Sequence, residues 1–401
     1  MIFTTWVFAV FLLASLAVYW AVPVGWRKPV LILAGCVFYI YSVPKYLFLI
    51  IGLSVIVYLA GLWILNANRC KSFFTPRRVM ILGVLVPALV LFVFKYLRLA
   101  INTLNQVIGY FSWGPPLPVI SFMVPLGISF FVFEFIHYMV DLYKGKIDPG
   151  SLNLGNFLTF TLYFPTLVCG PIKRYQQFSQ QLGEGAAFAL DGALEGMRRI
   201  ITGFGKKLIL ADTFSLLTGV LATPESAGGA ALAVGAYAYT MKIYFDFSGY
   251  SDIAIGTSLL FGLKVPENFD RPYLSRNVAE CWRRGHMSLS SWIRDYLFIP
   301  LGGSRVNRGR NLFNLMVAMG ICGMWHGAAW NFLAWGLYHG AGLGVHRLFR
   351  VYIGDRFKLP TPVAVFLTFH FVVVGWIFFS APNLTKALVT IHKIFFAWIG
   401  G

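Results

Sequence analysis

Long apolar runs separated by short basic turns make up nearly the whole chain. A helix needs about 20 such residues to cross a bilayer core. The clearest runs are Ile2–Val22, Tyr46–Leu65, Val79–Phe94, Ile120–Val140, Ala230–Phe261, Leu312–Leu343 and Pro362–Phe379. Shorter or charge-interrupted runs lie at Pro29–Tyr41, Phe157–Val168, Ile200–Val220 and Leu384–Trp398. The pattern predicts an all-α polytopic fold of about nine to eleven membrane helices, with re-entrant helices around a central tunnel. The first run has no basic leader and no cleavage site after it, so it reads as a retained span.

No linker, internal repeat or shift in composition divides the chain, which therefore reads as one domain over 1–401. Within it, 1–118 form N-terminal helices, 119–346 a core and 347–401 C-terminal helices. The second half differs from the first, because charged residues interrupt its longer runs. Charged or irregular backbone at membrane depth is tolerated only where it is packed in protein or lines a wet cavity. A site is expected there.

Composition sharpens this picture. Of 401 residues, 58% are hydrophobic and 12% charged, and the mean hydropathy is +0.71, which excludes a soluble globular domain. The formal charge of +18 suggests a nucleic-acid partner only until its distribution is considered. The basic residues sit in short turns between apolar runs, as topology signals do, and no nucleic-acid contact is expected. Arg27 and Lys28 follow the first span, Arg69, Lys71, Arg77 and Arg78 the third, and Lys144 and Lys146 the fifth. Odd-numbered spans then end inside and the N-terminus lies outside. Beyond residue 150 the counting fails, since the pairs Arg198/Arg199 and Lys206/Lys207 fall within apolar segments. Cys36, Cys70, Cys169, Cys281 and Cys322 show no paired spacing, so neither a metal site nor a disulfide framework is expected.

Four stretches carry candidate chemistry. In FPTLVCGPIKRY, Phe164–Tyr175, Pro165 and Pro171 break an apolar run into a kinked or re-entrant element; a helix end with a basic flank is the simpler alternative. In KIYFDFSGYSDIAIG, Lys242–Gly256, Lys242 and Asp246 stand i, i+4 and would form an ion pair within the membrane, while Asp252 has no local partner and is free to meet a histidine of another helix. ECWRRGHMSLSSWIRDYLFIPLGG, Glu280–Gly303, is too charged to cross lipid and too apolar for a solvated loop. As one helix it places Trp282, His286 and Ser290 on one face beside Arg283 and Arg294. A re-entrant helix of that kind could hold an anionic phosphate, or it could lie in the interface with its arginines on lipid headgroups.

The fourth stretch is GMWHGAAWNFLAWGLYHG, Gly323–Gly340, with His326 and His339 in an apolar setting. On one helix over Leu312–Leu343 they would be about 20 Å apart along the axis and on different faces, so they could form no dyad. Gly323 and Gly327 would let a substrate or a neighbouring helix approach the backbone beside His326. A histidine at mid-membrane is a functional candidate by default; His339 fits better as a packed core histidine.

Together YFDFSGYSDIAIG, CWRRGHMSLSSWIRDYLFIPLGG and GMWHGAAWNFLAWGLYHG resemble the membrane-bound O-acyltransferases. The similarity is to the bacterial branch with the alginate O-acetylation membrane subunit and, more distantly, the teichoic-acid D-alanyl transfer protein. PLGISFF, Pro125–Phe131, and FP-x-L-x-x-GPI, Phe164–Ile172, extend it over about residues 120–345. The resemblance implies that His326 is the principal catalytic histidine and His286 the second. From the residues themselves, Trp282, Arg283, Ser290 and Arg294 are expected to contact the donor, with Asp246, Asp252, Trp325 and Asn331 in support. Two departures stand out: Gly285 replaces a tryptophan often found before the second histidine, and the chain is shorter at its C-terminus than alginate-type members.

Acyl transfer from a thioester to an alcohol needs a base for the hydroxyl proton, and an imidazole with an unperturbed pKa of about 6.5 suits it. The resemblance implies an acyl, chiefly acetyl, group taken from acyl-CoA or another thioester as co-substrate, with no resident cofactor. It further implies a bacterial inner-membrane location, contact with membrane lipid, and an exported or membrane-tethered transferase that accepts the acyl group and passes it to a polysaccharide. The rival expectation is a proton-coupled transporter or flippase, which would also place His and Asp at mid-depth; such folds often show inverted repeats, and none is visible.

The orientation is testable. Ser72→Cys, in a background without the native cysteines, is expected to resist an impermeant thiol reagent in intact cells; ready labelling from outside would invert the assignment.

Overall fold

A computed structural model describes residues 3–66, 75–185, 187–354, 357 and 359–396. Arg69, Cys70, Lys71 and Ser72, and the end of the Leu384–Trp398 run, lie outside the described residues. Among those described the chain is all-helical, apart from an isolated antiparallel bridge between Phe269 and Gly285. The first helices are α1 (Trp6–Ala21), α2 (Arg27–Ser42), α3 (Leu47–Asn66), α4 (Pro76–Leu91), α5 (Leu97–Phe111), α6 (Ile128–Tyr143), α7 (Leu154–Thr161), α8 (Tyr175–Glu184) and α9 (Leu190–Phe204). After them come α10 (Asp212–Ser215), α11 (Gly229–Leu260), α12 (Val278–Arg284), α13 (Met287–Ile293), α14 (Arg308–His326), α15 (Trp330–Tyr352), α16 (Thr361–Ser380) and α17 (Leu384–Phe395). Two compact units result: Met1–Ile201 with Asp252–Pro266, and Thr202–Ser251 with Glu267–Gly401.

Among the described residues, four helical segments combine the length and apolarity needed to cross a bilayer: Val24–Ser42, Pro44–Asn66, Pro76–Phe111 and Thr361–Ser380. Trp6–Ala21 is apolar but shorter. Their outward side chains are large and apolar, with Leu13, Phe48, Leu59, Leu89 and Phe366 each more than half exposed. Left in water, such side chains would each forgo about 1.5–3 kcal/mol of burial; against lipid tails that penalty disappears. The remaining apolar runs are interrupted. α11 carries Lys242, Asp246 and Asp252, and two other runs are cut by the backbone.

The first cut falls in Ile120–Val140. Pro125 has no amide hydrogen to give a helix, and Gly127 takes a left-handed φ of 71° while lying directly against the Leu167 carbonyl. A side chain fits neither condition, and α6 starts only at Ile128. The second cut falls in Leu312–Leu343, where one helix was expected. The chain instead makes a hairpin of α14 and α15 through Gly327–Ala329. A Cβ at Gly336 would collide with the Met319 carbonyl, one at Gly323 with the Phe332 carbonyl, and one at Gly327 with the Phe332 ring. The two helices approach so closely that only glycine fits between them.

In the first unit, the stretch between α7 and α8 is irregular and buried. Phe164 packs on Phe11, Phe38 and Phe261 at ring-centroid distances of 5.0, 5.8 and 5.8 Å. Lys173 is no solvated basic flank: its Nζ donates to Glu134 Oε1 at 2.6 Å and to Thr166 Oγ1 at 2.8 Å. His137 is structural, its Nδ1 bonded to the Phe133 carbonyl at 3.2 Å and its Nε2 accepting from the Tyr175 amide at 3.1 Å.

The close contact of α14 and α15 sets an expectation for stability. Gly336→Leu forces the helices apart at an overpacking cost of about 1–3 kcal/mol, so the detergent-solubilised protein should melt about 2 °C or more lower. Gly52→Leu, where nothing lies within 4 Å of an added Cβ, should leave the melting temperature unchanged.

Candidate active site

Both candidate histidines sit at breaks in the helices, and both lie in the second unit. His326 is the last residue of α14, not a mid-helix residue, because α14 stops at Gly327. Its ring is boxed by Trp325 at 4.7 Å, Trp335 at 5.0 Å and Phe379 at 5.2 Å between centroids, all in edge-on geometry. His286 lies 6.4 Å from it, centroid to centroid, and also faces Phe247 at 4.7 Å and Trp325 at 6.0 Å.

The element that carries His286 is not the continuous helix expected. α12 ends at Arg284, Gly285 is extended, and His286 adopts a left-handed φ of 45° as the N-cap of α13. Trp282, His286 and Ser290 therefore share no helical face. The Trp282 indole donates to His339 Nδ1 at 3.2 Å, and the Ser290 hydroxyl donates to the Gly285 carbonyl at 3.2 Å, closing the break. A Cβ at Gly285 would stand 3.2 Å from the Cys281 carbonyl and from Pro272, so the position is closely surrounded.

Sequence gave no warning of the loop ahead of α12. Asn268 is fully buried there. Its Oδ1 accepts from the Ser288 amide at 3.3 Å and hydroxyl at 2.8 Å, and lies 3.1 Å from His286 Nδ1. Its Nδ2 donates to Ser251 Oγ at 3.2 Å, and its carbonyl accepts from the Met287 amide at 2.9 Å. No hydrophobic periodicity marks such a residue, which stands among Glu267, Asp270 and Arg271 in a proline-bounded polar loop. Trp335 and Phe379 were missed for another reason, since they look like ordinary core aromatics.

The other candidates separate into distinct roles. Asn331 donates from Nδ2 to the Phe378 and Ala381 carbonyls at 3.1 and 3.0 Å, which ties the start of α15 to the end of α16 and holds Phe379 against His326. His339 is not about 20 Å from His326, because the hairpin folds it back onto the same indole: its ring lies 4.8 Å from Trp335. Asp246 does not pair with Lys242; Lys207 takes it at 3.0 Å, and the Lys242 ammonium lies 5.7 Å from the centre of the Tyr239 ring. The partner of Asp252 is Arg199 at 3.0 Å, in the first unit, an arginine where a histidine was considered. Arg283 is exposed. Arg294, also exposed, is bonded to its neighbour Asp295 at 2.8 Å.

Chemically the cluster offers two imidazoles in an aromatic enclosure, one of them with Nε2 buried and unmatched by any protein group. Among the described residues no three His, Cys, Asp or Glu side chains converge as metal ligands would.

Comparison with known proteins gives this geometry a setting. The family model of the membrane-bound O-acyltransferases matches residues 222–385, a span that holds both histidines. A "Probable alginate O-acetylase" of Azotobacter vinelandii is 39% identical over 96% of this chain and 76% of its own. A "Peptidoglycan O-acetyltransferase" of Helicobacter pylori is 33% identical over 89% of this chain and 72% of its own. A "Teichoic acid D-alanyltransferase" of Bacillus subtilis is 33% identical over 66% and 70%.

Proposed function

The chain belongs to the membrane-bound O-acyltransferase family, and from that premise we propose that it moves an acetyl group from a cytoplasmic thioester, acetyl-CoA in the simplest case, to a hydroxyl acceptor serving exopolysaccharide or cell-wall modification. The observation that carries the proposal is the pairing of His286 and His326, with ring centroids 6.4 Å apart in a box of indoles and phenyl rings. Both rings face the Trp325 indole, so a group reacting at one lies close to the other.

The reaction asks for little else. An imidazole takes the hydroxyl proton while the oxygen attacks the thioester carbonyl. The C–S bond of the resulting tetrahedral adduct then breaks, and the departing thiolate receives the proton from the imidazolium. One ester and one thiol result, with no external oxidant, reductant or resident cofactor. The aromatic walls exclude water, which would otherwise hydrolyse the thioester.

In this reading the donor's anionic portion meets Arg283 and Arg294, whose charged heads face outward. Trp282 and Ser290, bonded to His339 and the Gly285 carbonyl, support the walls. The enzyme acts in a bacterial cytoplasmic membrane, surrounded by lipid, with donor and acceptor approaching from opposite sides. It hands its acyl group to an exported or membrane-tethered transferase that modifies the polymer. The names of the relatives favour an acetyl group and an envelope polysaccharide.

The test is a thioester-consumption assay with purified protein, labelled acetyl-CoA and a hydroxyl acceptor. His326→Ala should reduce turnover by on the order of 10² to 10⁴ while inserting into the membrane normally; near-normal turnover would remove His326 from the chemistry. Arg283→Ala and Arg294→Ala should raise KM for the donor more than they lower kcat, because an anion contact made equally in ground and transition states is uniform binding. An unchanged donor KM in both variants would assign these arginines to lipid headgroups instead.

A further inference from the structure

The bonding around Asn268 decides something that ring positions alone do not: which nitrogen of His286 carries the proton. The Ser288 backbone N–H can only donate, so the Asn268 atom 3.3 Å from it is the oxygen, and Nδ2 is then the atom that donates to Ser251 Oγ. That same Oδ1, which has no proton to give, lies 3.1 Å from His286 Nδ1. Nδ1 must therefore be the protonated nitrogen. A neutral imidazole has one N–H, so the remaining nitrogen, Nε2, presents a lone pair. It is buried and meets no protein donor. The doubly protonated alternative would bury an unmatched N–H and an uncompensated charge, an expensive arrangement in an apolar enclosure.

The same residue holds the backbone that aims the ring. His286 has a left-handed φ of 45°, a conformation unfavourable for a non-glycine residue that persists only when the surroundings over-determine it. They do so here. The Asn268 carbonyl accepts from the Met287 amide at 2.9 Å, and Asp270 N donates to the Arg284 carbonyl at 2.8 Å, so the two chains are pinned on both sides of His286.

We infer that Asn268 is a positioning residue that holds His286 as the Nδ1–H tautomer, leaving its Nε2 lone pair as a hydrogen-bond acceptor in the enclosure it shares with His326. The inference rests on the O-acyltransfer reading and adds to it the protonation state of the second histidine and the residue that sets it. Asn268 gains and loses nothing in the step.

The experiment compares Asn268→Leu, Asn268→Asp and His286→Ala, alone and in the two double variants, in the thioester assay with a saturating hydroxyl acceptor. Asn268→Leu removes the acceptor oxygen and should lower kcat on the order of 10- to 100-fold, as loss of a group that orients a histidine does, with donor KM within about twofold. Asn268→Asp keeps an acceptor oxygen and should recover at least about a tenth of wild-type kcat, above the Leu variant. Because Asn268 acts through His286, adding either substitution to His286→Ala should cause no further loss. The inference is overturned by a full multiplicative loss in the His286→Ala background, by an Asp variant no better than Leu, or by a defect confined to KM. Should Asn268→Leu not insert, Asn268→Ala makes the same comparison. Wild-type protein that consumes no thioester would instead sink the acyl-transfer reading itself, a result readily told apart from the others.

Discussion

Backbone amides and carbonyls cannot be left bare where there is no water to receive them, and that constraint governs where this chain can leave the helix. Two departures near the candidate site are closed with the help of side chains. At Gly285–His286 the free groups go to Asn268 and Ser290. At the end of α16 the Phe378 and Ala381 carbonyls go to Asn331. A break so satisfied is rigid, and a rigid break is a good place to mount a reacting side chain, because the ring at its tip inherits the geometry of the surrounding bonds.

Glycine and aromatic residues divide the remaining work. Gly323 and Gly336 let α14 and α15 meet backbone to backbone, which turns the chain at His326 and brings Trp335 over the ring. Indole and phenyl walls then enclose His326. His286 is the opposite case, fixed by a dense set of hydrogen bonds on one side of its ring and bare on the other. The pair thus joins an imidazole walled by aromatic rings with one held by a buried amide.

Charge at depth is mostly structural. Lys173 with Glu134 and Arg199 with Asp252 are matched at 2.6 and 3.0 Å, and removing one partner of the fully buried Lys173–Glu134 pair would cost several kcal/mol; Lys207 with Asp246, matched at 3.0 Å, is partly exposed. The arginines of α12 and α13 have a different character. Arg284 is paired with Glu280 at 3.1 Å, whereas Arg283 stays exposed and the Arg294 pair is itself solvent-facing, a pairing worth little against competition from another anion.

Much of this was legible in the sequence. Apolar runs of membrane length announced a helical membrane protein, because burial against lipid depends on composition and period alone. The elements around His286 and His326 also stood out, since polar groups in apolar runs are few. What the sequence left open was every question decided by contact between distant segments: that the Leu312–Leu343 run folds back on itself at Gly327, that Asp246 pairs with Lys207 and Asp252 with Arg199, and that Asn268 reaches His286 from a loop before α12. Hydrophobic period reports which face of a helix is buried, but a helix ends, an ion pair forms and a tautomer is chosen according to which polar atom of another segment arrives within about 3 Å, and only the tertiary structure brings it there.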